Sequence, residues 1–251
     1  MSVYAVSDLH GQWNTFEKGL KEIGFTDDDR LYLIGDAIDR GEDGIRILQY
    51  IKDHENMDLI IGNHELLMLT AVHPDGKAEC KGMNSSLWRE INGGDITYEK
   101  YEELTFPERK SLLDWLKTRY VMKTIKVGET KFCLTHSYYY EGLENKKYNE
   151  MNYEEVWNVV WNSPYRDDWD TYRPDIYMNY DYMFITGHIP VIRVLLNITN
   201  DLEKSNFLKA FRNDNFYDID GGCALGHRDG INNGALFLRL DDLKVFGVPL
   251  V

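Results

Sequence analysis

Three short apolar runs punctuate the first third of the chain, Val3 to Val6, Leu31 to Ile34 and Leu59 to Ile61, and each stops at a polar motif. Between them, Trp13, Phe16, Leu20 and Ile23 recur at helical spacing, as do Ile45, Leu48 and Ile51. Buried strands alternating with one-sided helices predict a βαβαβ arrangement with a parallel sheet. In such sheets functional groups gather beyond the carboxyl ends of the strands, where the three polar motifs fall.

The pattern weakens from about residue 73 to residue 120, a segment expected to form a cap or insertion. It holds polar loops around Trp88, an Asn92-Gly93-Gly94 turn, and a helix opened by Pro107 and carried by Leu112, Leu113 and Leu116. Val121 to Val127 and Thr130 to Thr135 then flank Gly128-Glu129 as a hairpin, and His136 emerges where its second strand ends. After an aromatic stretch from 138 to 182, five further strands are expected: Met183 to Thr186, Val194 to Ile198, Phe216 to Ile219, Ala235 to Leu240 and Val245 to Val248. This block predicts a second sheet. No repeat, low-complexity tract or linker divides residues 1–251, so a single domain is expected.

Composition narrows the possibilities. The 251 residues are 43% hydrophobic and 28% charged, with no apolar run long enough to span a bilayer. The N-terminus enters a strand at once and reaches Asp8 without a basic-then-apolar leader, the pattern expected of a cytoplasmic protein. Cys80, Cys133 and Cys223 are too dispersed for a zinc or redox pair and are expected to be core thiols. A net charge of −14 repels a phosphate backbone, which argues against duplex DNA or long RNA as the partner. An anionic substrate would need metal ions or local arginines to hold it.

The polar motifs carry candidate chemistry. In extended backbone Asp8 and His10 face the same side and can chelate a cation, although a plain turn would use the same residues. Gly35-Asp36-Ala37-Ile38-Asp39-Arg40-Gly41 places acids directly after a buried strand, a costly position for a carboxylate without a partner. In Gly62-Asn63-His64-Glu65, Asn63 could serve as a ligand or only as a helix cap. Two later histidines, His136 and His188, each follow an apolar strand.

Together, in this order, these segments resemble the phosphoprotein phosphatase branch of the calcineurin-like metallophosphoesterases. Trp88, Asn92-Gly93-Gly94, Thr97 and Asp218-Ile219-Asp220-Gly221-Gly222-Cys223 resemble elements of its bacterial and phage members, the lambda-type phosphatases and symmetrical diadenosine tetraphosphatases. The resemblance implies an α/β fold with two mixed β-sheets in a central sandwich, flanked by helices and carrying a small helical or loop cap. It implies two metal ions, with Asp8, His10 and His188 on one, Asn63 and His136 on the other, and Asp36 between them. Oxygen and nitrogen donors of this kind suit manganese, with iron or zinc as alternatives. A hydroxide bridging the ions would attack phosphorus. His64, paired with Asp39, would protonate the leaving oxygen, and Arg40 would clamp the phosphoryl group. A second phosphate-binding arginine is expected at Arg166, with Arg173 and Arg193 as competitors.

The chain departs from the family pattern in three places. Ile61 stands where eukaryotic-type members carry an arginine; Tyr138, Tyr139 and Tyr140 replace small residues after His136, putting bulk near the cleft; and Ile189 replaces a threonine. The aromatic belt of Tyr138, Trp157, Trp161, Trp169 and Tyr182 is expected to serve packing before base stacking. His54 and His73 are expected at the surface and His227 in a loop. The leading expectation is a Ser/Thr phosphoprotein phosphatase acting on phosphorylated proteins or small phosphoesters. The alternative is a symmetrical dinucleoside polyphosphate hydrolase using the same metals. A non-catalytic metal-binding scaffold would be expected to lack His64, Asp39 or Arg40, and all three are present.

Overall fold

The computed structural model of the chain describes residues 1–165 and 179–251. Strands β1 (Val3–Val6), β2 (Arg30–Ile34) and β3 (Met57–Ile60) pair in parallel, joined by helices α1 (Trp13–Glu22) and α2 (Gly44–Asp53). Their register sets Val6 beside Leu33 and Ile34 beside Ile60. The three loops that follow therefore leave the sheet at one level, and α3 (Asn63–Ala71) starts there.

The segment from 73 to 120 contributes a π-helical turn at Leu87–Ile91, α4 (Asp95–Glu103) and α5 (Phe106–Lys117). Thr105 and Glu108 cap α5 reciprocally, with Pro107 in its first turn. Trp88, Tyr101, Leu112 and Leu116 share a buried cluster with Leu31, Leu59 and Leu66, so the expected cap is built into the core of the first sheet.

In the second half, β4 (Met122–Val127) and β5 (Thr130–Thr135) form the expected hairpin. Helix α6 (Tyr153–Trp161) precedes β6 (Met183–Thr186). Beyond β6 the chain departs from expectation in two respects. Val194 to Ile198 is not a strand but lies in α7 (Val191–Thr199), which Pro190 opens and Asn200, in the left-handed region at φ 49°, closes. The run Val-Leu-Leu-Asn-Ile is apolar at both strand and helix periods, so the flanking residues decide. After the short α8 (Leu202–Ser205) come β7 (Phe211–Asn213), β8 (Phe216–Asp218), β9 (Gly234–Arg239) and β10 (Lys244–Pro249). This last block does not stay in one sheet. The second sheet runs β4-β5-β6-β8-β7, whereas β9 and β10 return to the first, giving β10-β9-β1-β2-β3.

Both sheets are mixed, as expected. Ala5, Tyr32, Ile34, Leu236 and Leu238 from one meet Phe132, Leu134, Ile185 and Tyr217 from the other in a single apolar layer. Helices cover the outer faces. Cys133 and Cys223 are buried and Cys80 is half-buried, all as free thiols. Among the described residues no helix is long and apolar enough to cross a membrane.

Candidate active site

Register carries the candidate residues to one place. Asp8 lies two residues past Val6, Asp36 two past Ile34 and Asn63 three past Ile60; in the second sheet His136 lies two past Leu134, His188 two past Thr186 and Asp220 two past Asp218. Both sheets thus point their parallel carboxyl ends into one cleft.

The loops are tight. Asp8, His10, Asp36, Asp39, Arg40 and His188 all adopt positive φ, between 44° and 73°. Each such non-glycine residue costs ~1–3 kcal/mol and persists only where its surroundings over-determine it. Backbone bonds from His10 to Asp36 (2.9 Å) and from Gly11 to Ala37 (2.8 Å) stitch the first loop to the second. At Gly35, with φ 74°, a Cβ would collide with the His136 ring and the backbone of Gly62, so a side chain is excluded there. Beneath these loops the fully buried Glu65 accepts the backbone N–H of Asp36 (2.9 Å), Ala37 (2.8 Å) and Gly62 (2.9 Å). Burial and the charge of Asp36 push its carboxyl up to about 7.

Asp36 is the centre of the cluster. Its Oδ2 lies 3.4 Å from His136 Nε2, 3.6 Å from His10 Nε2 and 3.8 Å from His64 Nε2. The Nδ1 atoms of His10 and His136 each sit 3.1 Å from a backbone carbonyl, of Ile38 and Ile34. A carbonyl only accepts, so these nitrogens carry protons, and each Nε2 faces Asp36 as the atom that would bind a cation once deprotonated. Asn63 Oδ1 lies 2.8 Å from His136 Nε2 and 3.0 Å from His188 Nδ1. The donors that can share an ion fall into two groups, His10 with Asp36 and His64, and Asp36 with His136 and His188. Asp36 belongs to both, the position of a bridging ligand. His188 therefore sits on the Asn63 and His136 side, not with His10 as expected, because its ring turns toward Asn63. The Asp8 carboxylate receives the backbone N–H of His188 at 3.0 Å.

Electrostatics fit a cation site. Burial would raise the Asp36 carboxyl, but the imidazoles of His136 and His64 outweigh it and hold it well below the usual range. Burial and the charge of Asp220 drive Asp8 well above. Burial and His136 depress His188 to about 3, whereas Asp36 and Asp8 overcome burial and lift His136 to about 10. Buried oxygen and nitrogen donors whose charges conflict in this way are relieved by cations at their centre, so the residues present fit two metal ions.

Beside this cluster, His64 Nδ1 lies 2.6 Å from Asp39 Oδ2, and its Nε2 lies 3.5 Å from the Arg40 guanidinium. Burial opposes protonation of His64, but Asp36 and Asp39 together raise its pKa. The segment 73–120 holds the pair in place. Trp88 Nε1 donates to Asp39 Oδ2 (2.8 Å), Thr97 Oγ1 accepts the Asp39 N–H (2.9 Å), and Gly93 accepts the Arg40 N–H (3.1 Å).

The cleft encloses about 180 Å³ and is lined by Asp36, His64, Arg40, Asn92, Trp161 and Arg193 among others. Arg166, the expected second arginine, lies outside the described residues, as do Arg173 and Trp169. Ile61 is wholly buried and donates its N–H to Tyr120, so this position presents no side chain to substrate. Tyr138, Tyr139 and Tyr140 do not line the cleft, contrary to expectation; Tyr139 packs on Tyr180 and Phe184, and the ring of Tyr138 contacts that of Tyr140. Trp161 stacks on Trp157 and reaches the cleft wall. His54 and His73 are half-buried, and His227 is exposed away from the lining.

Two buried acids had no expected role. Glu65 was signalled by its place three residues after the helix-capping Gly62. Asp220, also in the cleft wall, is pushed up to about 7 by burial, against the pull of the Gly222 N–H; its signal was the same two-residue offset from a strand end.

The model of the calcineurin-like phosphoesterase family matches residues 1–227. The chain is similar to a symmetrical bis(5'-nucleosyl)-tetraphosphatase of Nitrosospira multiformis, 32% identical over 119 residues that make up 47% of this chain and 38% of that protein. A protein of the same name from Dechloromonas aromatica is 30% identical over 139 residues, 55% of this chain and 44% of the relative. The matched part is less than half the length of either relative. In fold the chain resembles a protein serine/threonine phosphatase from Saccharomyces cerevisiae, with a TM-score of 0.57 at 14% identity, covering 98% of this chain and 78% of that one. With nearly its whole length matched and its strand ends converging on a buried set of metal donors, the chain belongs to the calcineurin-like phosphoesterase family.

Proposed function

We propose that the protein is a two-metal hydrolase that cleaves dinucleoside tetraphosphates symmetrically into nucleoside diphosphates. The observation that carries the phosphoester chemistry is the Asp36-centred donor set facing the His64–Asp39 pair and Arg40. The substrate class rests on the curated relatives, which bear the tetraphosphatase name, and this favours the alternative reading over a Ser/Thr protein phosphatase. A cleft of about 180 Å³ also fits a short phosphate chain, with the nucleosides lying outside it.

On this reading Asp8, His10 and Asp36 would hold one ion, and Asp36, Asn63, His136 and His188 would hold the other, manganese being well matched to the donors. When bound, the ions supply positive charge for the phosphate oxygens and lower the pKa of the attacking water. Arg40 orients the phosphoryl group and stabilises the charge that grows on it. As the oxygen of water, which gives up one proton to solvent, bonds to phosphorus, the bond to the departing nucleoside diphosphate breaks, and the leaving oxygen takes the proton of His64 Nε2. Asp39 keeps His64 protonated and fixes its ring.

The test is one manganese-supplemented preparation assayed against diadenosine tetraphosphate, a phosphoserine peptide and an aryl phosphate. The expected result is kcat/KM for the dinucleotide about a hundredfold above that for the peptide, a difference of ~2.7 kcal/mol. A peptide turned over as well as the dinucleotide would restore the protein-phosphatase reading. No turnover of any of the three would revive the scaffold reading.

A further inference from the structure

Arg40 and Arg193 are the two arginines that line the cleft among the described residues. They approach it from different sheets. Arg40 follows β2 of the first sheet and lies 3.5 Å from the acid His64, so it belongs to the reacting phosphoryl group. Arg193 follows β6 of the second sheet, in the first turn of α7, five residues after His188.

Three features of Arg193 point to a ligand. In a chain of 42 acidic and 28 basic residues it forms no ion pair with any described residue, although its side chain is exposed. The cleft wall it shares also includes the apolar Ile189, Pro190 and Leu225, and a charge pair formed against apolar surface is screened less than one in open water. Lastly, Ile61 is sealed in the core, so that position adds no arginine or lysine to the cleft wall.

We propose that Arg193 binds the phosphoryl group beyond the scissile bond, and so selects polyphosphate chains over simple monoesters. A monoester places one phosphate, between the metal donors and Arg40. A chain of phosphates continues from there toward the cleft mouth, where the guanidinium of Arg193 can take two oxygens at once. This inference rests on the reading of the cleft as the reaction centre, and its test is a binding measurement that does not depend on turnover.

The full chain, saturated with manganese, is titrated calorimetrically with inorganic phosphate and with methylenediphosphonate, a diphosphate that cannot be hydrolysed. Wild type is compared with Arg193→Gln and Arg193→Lys. The expected result is that Arg193→Gln weakens methylenediphosphonate about tenfold or more relative to phosphate, as for loss of one charge-assisted hydrogen-bonded contact. Arg193→Lys should recover part of that loss, since it keeps the charge without the planar fork. Equal weakening of both ligands, or of neither, overturns the proposal. If the wild type binds the diphosphonate with this Arg193 dependence yet leaves diadenosine tetraphosphate intact, the substrate reading fails and the role of Arg193 stands.

Discussion

Trp88 donates its indole N–H to the Asp39 oxygen that also holds His64, at 2.8 and 2.6 Å respectively. A residue in the segment outside the sheets thus helps to set the proposed acid. Replacing Trp88 with Phe removes the donor but keeps an aromatic ring in the core. The variant should fold, lose about 1–3 kcal/mol of stability from the imperfectly satisfied carboxylate, and show a lower kcat. Thermal melting with steady-state kinetics checks this; an unchanged kcat would leave Trp88 a packing residue only.

Asp36 and Asp39 raise the pKa of His64, and the proposed reaction uses His64 in its protonated form. Activity is therefore present below that pKa and lost as pH rises through it. In Asp39→Asn the imidazolium loses its counter-charge, so the alkaline limb of kcat should move to lower pH. A profile measured across the neutral and alkaline range decides the point. A limb that stays in place would mean that another group sets it.

His64→Ala should retain bound metal while losing ~10²–10⁴ in kcat, the usual reach of general acid catalysis. The loss should be greater for an alkyl phosphate than for an aryl phosphate, because a poor leaving group depends more on the proton. Metal analysis beside the two rates tests both parts. Loss of metal with an unchanged residual rate would contradict the assignment.

Glu65 accepts three backbone N–H groups from two loops of the site. In Glu65→Gln one end of the side chain becomes a donor facing donors, leaving at least one buried N–H unpaired. The expected cost is about 1–3 kcal/mol in stability together with weaker metal retention, since Asp36 hangs from the same loop. Calorimetric melting with and without added manganese measures it. Full stability would show that water replaces the carboxylate.

Much of this site could be read before the fold was known, for a physical reason. An acid placed directly after a buried apolar strand is costly unless it has a partner, which singles out Asp36, whereas Asp8, His136 and His188 are ambiguous one by one and gain meaning from their shared order after apolar strands. The parallel strands and the βαβαβ opening followed from local periodicity. What escaped depended on distant partners. The destination of β9 and β10 is set by pairing with β1, at the opposite end of the chain, as in Tyr4 with Arg239. Helix α7 escaped because its apolar residues satisfy two periods at once. The bond from Trp88 to Asp39 and the turn of His188 toward Asn63 have no local signal, since they arise from how separate loops meet.

The proposed mechanism rests on Asp36 as the shared ligand of two ions, and metal stoichiometry tests that most directly. Wild-type protein reconstituted with manganese and freed of excess should carry two ions per chain, whereas Asp36→Asn should carry fewer than one because both sites lose the carboxylate that offsets their charge. Two full-occupancy ions in Asp36→Asn would contradict the bridge and the mechanism built on it.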